Sequence, residues 1–255
     1  MTVVGESLQM TRSMVDAFRT ATKDHNKIHE EIALGFQLGF LIKDFADKYM
    51  KDLAPELSWS YQETRFENAV PIDAEVHAGQ TGLNLISDPH VVVSLVDQTK
   101  TQCVSGMVKY YGPVPSGQRE NAGREYTLTE EHARMVATGL GKEGTDIGAL
   151  AIGLASNALL EDGKEIIEKH REEGKEPVYI RHKIRPYSAL ELLKPEDQII
   201  ISTNAAKFIT FSQERMERLK GLYPAKVVAT RPDGSLLYEV DMAITFIPRE
   251  QVLKK

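Results

Sequence analysis

Apolar positions along the chain alternate between helical and extended spacing in a way that repeats once. Behind Thr11, whose hydroxyl suits a helix N-cap, Met14, Val15 and Phe18 form an apolar stripe at helical spacing. Residues 18–49 then pass from a polar segment holding Asp24, His25, Asn26 and His29 into an apolar run, 32–36 continuing through 40–45. That run predicts a helix buried on all sides. Extended segments follow at 59–66, after the turn at 71–76, at 90–96 and at 103–111.

The second cycle starts at Thr129, which repeats the capping role with Glu130 and Glu131 behind it, 118 residues after Thr11. Carried forward without gaps, this offset sets Phe18 on Val136, Ala33 on Ala151, Gly35 on Gly153 and Leu41 on Leu159. Two apolar helices are thus expected to begin alike, each with an Ala-x-Gly near its start. Extended runs recur at 178–186, after Pro195-Glu196-Asp197, at 225–230 and at 236–246, the last two joined by the hairpin signal Pro232-Asp233-Gly234. Residues 112–124 read as a Pro- and Gly-rich linker, 162–176 as a charged helix end and loop, and 204–224 as an insertion with a short surface helix near 213–220. The expected division is 1–112 and 125–255 around a linker at 113–124. Each half is an antiparallel sheet wrapped around one helix, an α+β architecture, and the two halves pair within the chain into a continuous sheet.

Composition narrows this picture. With 42% hydrophobic and 27% charged residues, the 255-residue chain has the make-up of a soluble globule. A net charge of −6 without a basic stripe argues against a nucleic-acid partner. The single Cys103 precludes an internal disulfide framework and suits a reducing compartment. The first residues lack the basic and apolar regions of a signal peptide, and the longest apolar run, 147–160, falls short of the ~20 residues that cross a bilayer. No membrane partner and a cytoplasmic location are expected.

The chemistry concentrates in Asp24-His25-Asn26-Lys27-Ile28-His29. A neighbouring carboxylate and imidazole can share proton transfers when burial and mutual charge move their pKa values toward neutrality. The plain alternative is a polar capping loop. His25 and His29 stand four apart beside Glu30 and Glu31, a spacing that ligates zinc on a helix, but no third ligand cluster accompanies them and no metal is expected. Gly35, at the start of the buried helix, would let a ligand approach the backbone amides; close helix–sheet packing is the other reading of Gly35 and Gly153. His77, His90, His132, His170 and His182 read as surface or strand residues. Lys109, Arg181, Lys183 and Arg185 read either as contacts for the phosphates of a ligand or as ordinary strand-face charges.

Residues 8–29 resemble the MaoC-like hydratase family of hotdog proteins, in which a Phe-rich helix precedes Asp-x-Asn-Pro-x-His. Asp24, Asn26 and His29 match, with Lys27 in place of Pro, and Arg65-Phe66 and Pro71-x-Asp73 are similar to further positions. The resemblance covers the first half, and the second at fold level. It implies a tandem (double) hotdog acting on a 2-enoyl or 3-hydroxyacyl thioester as hydratase or dehydratase. Asp24 and His29 would do the proton work, Asn26 would hold the loop or orient one of them, and Gly35 would polarise the carbonyl. No metal or redox cofactor is implied, because CoA or acyl carrier protein arrives with the substrate; a homodimer is left open. The chain departs from the family in having Leu34-Gly35 only six residues after His29, where the family has a His-Gly pair further downstream, so the overhang between them is shortened. At the 118-residue offset, Asp24 and His29 become Lys142 and Ile147, so the second half has no dyad. Two other readings remain: an acyl thioesterase on the same fold, and a non-catalytic acyl-binding or scaffold protein.

Overall fold

A computed structural model describes residues 3–120 and 122–253; Met1 and Thr2 of the expected lead-in, and Lys254 and Lys255, lie outside it. In the first half, β1 (Val3–Gln9) leads into α1 (Arg12–Ala21), a 3-10 turn (Lys27–Glu30) and the long α2 (Gly35–Leu53). Four strands follow: β2 (Ser58–Phe66), β3 (Glu75–Asn84), β4 (His90–Asp97) and β5 (Gln102–Tyr111). The second half repeats the order with β6 (Arg124–Thr127), α3 (Glu130–Gly139), α4 (Ile147–Asp162), α5 (Lys164–Glu172), β7 (Lys175–Pro186), β8 (Gln198–Thr203), α6 (Gln213–Arg218), β9 (Tyr223–Thr230), β10 (Leu236–Pro248) and α7 (Arg249–Leu253).

All ten strands form one antiparallel sheet in the order β1-β3-β4-β5-β2-β7-β10-β9-β8-β6. The order reads the same from either end when each strand is replaced by its counterpart, and the seam is the β2–β7 pair, with Thr64 opposite His182 and Arg65 opposite Arg181. The halves therefore pair within the chain as expected. Pairing β2 with β7 removes what would be two open edges, each a row of unsatisfied amides.

Each half lays its long helix on one face of this sheet. Residues 149–159 of α4 are buried without interruption, which is the all-round burial that the apolar run demands. In α2 the buried set is Phe36–Phe40, Ile42, Phe45, Ala46 and Met50, so its last turns open to solvent along one side. Two buried amides are anchored through their nitrogens, Gln37 donating to the Gly139 carbonyl at 2.6 Å and Gln62 to the Gly39 carbonyl at 2.8 Å, while their Oε1 atoms have no partner.

Two expectations need correction. The 118-residue offset holds through α1 and α3, where Thr11 and Thr129 both cap, and breaks before the long helices. α2 starts at Gly35 and α4 at Ile147, an offset of 112, so Gly153 sits inside α4 and not at its start. A Cβ on Gly153 would lie 2.5 Å from Thr22 Cγ2, so close packing explains this glycine. The gap corresponds to the segment with the 3-10 turn, which the second half lacks. The charged stretch 162–176 is also more than a solvated loop, since α5 turns Ile166 and Ile167 into the core.

Candidate active site

Local hydrogen bonding shapes the segment that joins α1 to α2. Lys23 takes a positive φ of 54° and reverses the chain. The Asp24 carboxylate then accepts from the Asn26 amide at 2.9 Å, and the Asn26 side chain accepts from the Ile28 amide at 3.3 Å. These are the turns that Asp and Asn favour, and they start the 3-10 turn that carries His29. Asn26 also donates to the Pro177 carbonyl of β7 at 2.9 Å, and Asn157 of α4 donates to the Lys23 carbonyl at 2.8 Å. The loop of one half is thus anchored on the other.

The result brings the four predicted residues together. His29 Nε2 lies 3.8 Å from Asp24 Oδ2, and both side chains are buried. Asn26, His29 and Gly35 line a cleft of about 140 Å³ whose remaining wall includes Phe66, Val70, Val178, Tyr179 and Ile247. Asp24 stands behind His29 and does not reach the cleft wall: Ser156 of α4 donates to its Oδ2 at 2.6 Å, and Tyr179 Oη lies 2.6 Å from the Ser156 hydroxyl. Neither ring nitrogen of His29 makes a well-formed hydrogen bond, although the Ile32 backbone acts on the ring. Burial pushes its pKa below the ordinary imidazole value, with the Asp24 charge the largest opposing influence, so the ring is neutral at pH 7.

At the other side of the cleft stands the N-terminus of α2. Its cap residue is Leu34, which makes no side-chain capping bond. Thr11, Thr129, Asp146 and Ser212 cap α1, α3, α4 and α6 with their side chains, while α5, behind Gly163, also lacks a side-chain cap. The first-turn amides of α2 are left for other acceptors, and the helix dipole favours negative charge there. A Cβ on Gly35 would meet the Tyr179 ring at 3.1 Å, and His182 and Phe66 at 3.4 Å. Close packing therefore asks for glycine at this position.

The other candidates separate from the site. His25 is exposed whereas His29 is buried, so the two do not share a ligand face. Glu31 pairs with Arg249 at 2.6 Å. No cluster of three or more possible metal ligands occurs among the described residues. Lys109 pairs with Asp88, Arg181 and Lys183 with Glu63, and Arg185 with Glu239. His182 is not an ordinary strand residue: it is buried against Phe36, Phe66 and Tyr179 with both nitrogens unpartnered, and burial pushes its pKa down to about 3. Ser156 and Tyr179 were not evident from the sequence; the polar pair Ser156-Asn157 inside the apolar run 147–160 was the available signal.

No protein-family model and no curated protein sequence matches the chain. Solved structures do. A protein assigned as a MaoC domain dehydratase from Chloroflexus aurantiacus J-10-fl superposes with a TM-score of 0.62 over 96% of this chain and 95% of its own, at 10% identity. An acyl-ACP thioesterase from Bacteroides thetaiotaomicron VPI-5482 gives 0.57 over 96% and 97%, at 7% identity. A conserved protein of Mycobacterium tuberculosis with a double hotdog fold gives 0.56 over 97% and 96%, also at 7% identity. The chain has the double hotdog fold. No helix among the described residues is long and apolar enough to cross a membrane.

Proposed function

We propose that the cleft binds an acyl thioester, and that His29 adds water to its 2-enoyl group or removes water from the 3-hydroxyacyl form. The observation that carries this reading is a buried, neutral imidazole with free nitrogens lining the same cleft as the uncapped end of α2. In the hydration direction, His29 takes a proton from water as the water oxygen bonds to C3. The C2=C3 electron pair moves to C2 and into the thioester carbonyl, where the developing negative charge faces the amides at Gly35. His29 then returns the proton to C2. Asp24, 3.8 Å from the ring, favours the imidazolium that exists between the two transfers. Asn26 fixes the loop through Pro177. The carrier, CoA or acyl carrier protein, is part of the substrate.

A thioesterase is the second reading, supported by the acyl-ACP thioesterase among the similar structures. His29 would then direct water at the carbonyl carbon, and the thiolate would leave. Crotonyl-CoA separates the two. Hydration removes the conjugated absorbance without free thiol, and hydrolysis releases thiol. Neither signal, with bound crotonyl-CoA detected by calorimetry, would favour the non-catalytic acyl-binding reading and overturn the proposal.

A further inference from the structure

The hydrogen-bond donor to Asp24 Oδ2 comes from the other half of the chain. Ser156, only 2% exposed on the apolar helix α4, donates to Asp24 Oδ2. The hydroxyl has a single proton, so the 2.6 Å contact between Ser156 and Tyr179 requires Tyr179 to donate. Burial holds the Tyr179 phenol well above its ordinary pKa, which keeps it a donor. The order is therefore Tyr179 O–H to Ser156, and Ser156 O–H to Asp24. At the other carboxylate oxygen, Oδ1, the Asn26 amide is the donor.

We infer that Ser156 and Tyr179 are positioning residues, through which the second half holds the Asp24 carboxylate beside His29 and out of direct contact with it. With Oδ1 and Oδ2 each engaged, the carboxylate does not rotate onto the imidazole, and the separation stays at 3.8 Å. The nitrogens of His29 remain unpaired, while the Asp24 charge stays near enough to stabilise an imidazolium. For its catalytic meaning the inference rests on the hydratase reading; the arrangement itself is tested without it.

Without the Ser156 hydroxyl, Oδ2 is free to bond His29 Nε2, which favours the protonated ring. The other charges acting on His29, Arg19 of α1 and Glu176 of β7, are unchanged by that substitution. The test is an NMR titration of the His29 ring in the wild type, Ser156→Ala and Tyr179→Phe, each repeated with Asp24→Asn, alongside crotonyl-CoA kinetics. The His29 midpoint is expected to rise by about half a pH unit or more in Ser156→Ala and by less in Tyr179→Phe, and not to move with Asp24→Asn present. In the kinetics, kcat falls roughly tenfold with KM nearly unchanged. A folded Ser156→Ala whose midpoint does not move overturns the inference. So does a shift that persists with Asp24→Asn, because the effect then bypasses the carboxylate. Should Ser156→Ala fail to fold, Tyr179→Phe decides by the same readings. A wild type that leaves crotonyl-CoA unchanged counts against the hydratase reading, and the titration still judges the positioning.

Discussion

The two halves build the same junction and furnish it oppositely. After α1 and α3 the chain turns through a positive-φ residue, Lys23 in one half and Gly141 in the other. The next residue, Asp24 or Lys142, meets the tenth residue of the opposite half's long helix: Ser156 meets Asp24, and Asp44 meets Lys142, at 2.6 Å in both. From there they diverge. The first half has room for His29 and ends its loop on the apolar cap Leu34; the second is six residues shorter and ends on Asp146, which caps α4 through the Ala149 amide at 2.8 Å. The cavity at the second junction is the larger, about 710 Å³ against about 140 Å³. Of its acidic groups, Asp44 and Asp146 pair with Lys142 and Asp47 with Lys43 and Tyr110, while Asp44 Oδ2 and Trp59 Nε1 in its lining are buried without a hydrogen-bond partner. Neither size nor unpartnered polar atoms separate the two junctions; a histidine does, since His29 lines the first cleft and no histidine lines the second cavity.

The comparison breaks most directly through its two unlike residues. His29→Ala is expected to lower crotonyl-CoA turnover by about 10²–10⁴-fold, the usual weight of a general base. Lys142→Ala should leave turnover within about twofold and lower stability by about 1 kcal/mol, a modest figure because the side chain is 34% exposed. Equal losses of turnover would mean that both junctions serve one reaction. A smaller effect is expected at Gly35: the added Cβ of Gly35→Ala presses on the Tyr179 ring beside the helix amides, and kcat should fall by about 10-fold or more. Unchanged kcat would leave packing as the whole reason for the glycine.

His182 sharpens the contrast through stability. Its folded-state pKa is about 3, whereas an unfolded imidazole titrates near its ordinary value of 6.5. Between those limits the unfolded chain binds a proton that the folded protein refuses, so stability falls as pH drops through this window. At pH 4.5 the loss from this one residue is roughly 2–3 kcal/mol, at 1.36 kcal/mol per pH unit. His182→Leu should remove that share, which is checked by urea unfolding at pH 7.5 and pH 4.5. An acid sensitivity equal to the wild type's would show that the ring is solvated or paired in solution.

Much of this arrangement is legible in the sequence. The strands at 59–66, 90–96, 103–111 and 236–246 announced themselves by turn residues and β-rich composition, and each falls within an observed strand. Asp24, Asn26, His29 and Gly35 lie close together along the chain, so a short motif could carry all four. The rest was hidden for physical reasons. Ser156 stands 132 residues from Asp24, and its meeting with the carboxylate depends on the β2–β7 seam, which local pattern does not specify. His182 looked ordinary because strand alternation does not reveal which face a helix will cover. The Ala-x-Gly match misled because small residues recur wherever a helix packs tightly, and a gap of six residues leaves no mark in an ungapped alignment.

The smallest expected effect tests why α2 lacks a polar cap. If the four orphan amides of a helix start were merely a stability matter, a buried end would be the last place to leave them unsatisfied. The α4 end follows that rule with Asp146, and the α2 end does not. Asp146→Ala should then lower stability by about 1 kcal/mol through the lost cap, and leave turnover of crotonyl-CoA unchanged. Thermal unfolding and the absorbance assay check the two halves of that statement. A drop in turnover with the α2 cleft intact would show that the α4 terminus also takes part in the reaction, and the uncapped start of α2 would lose its claim to be the one reserved for substrate.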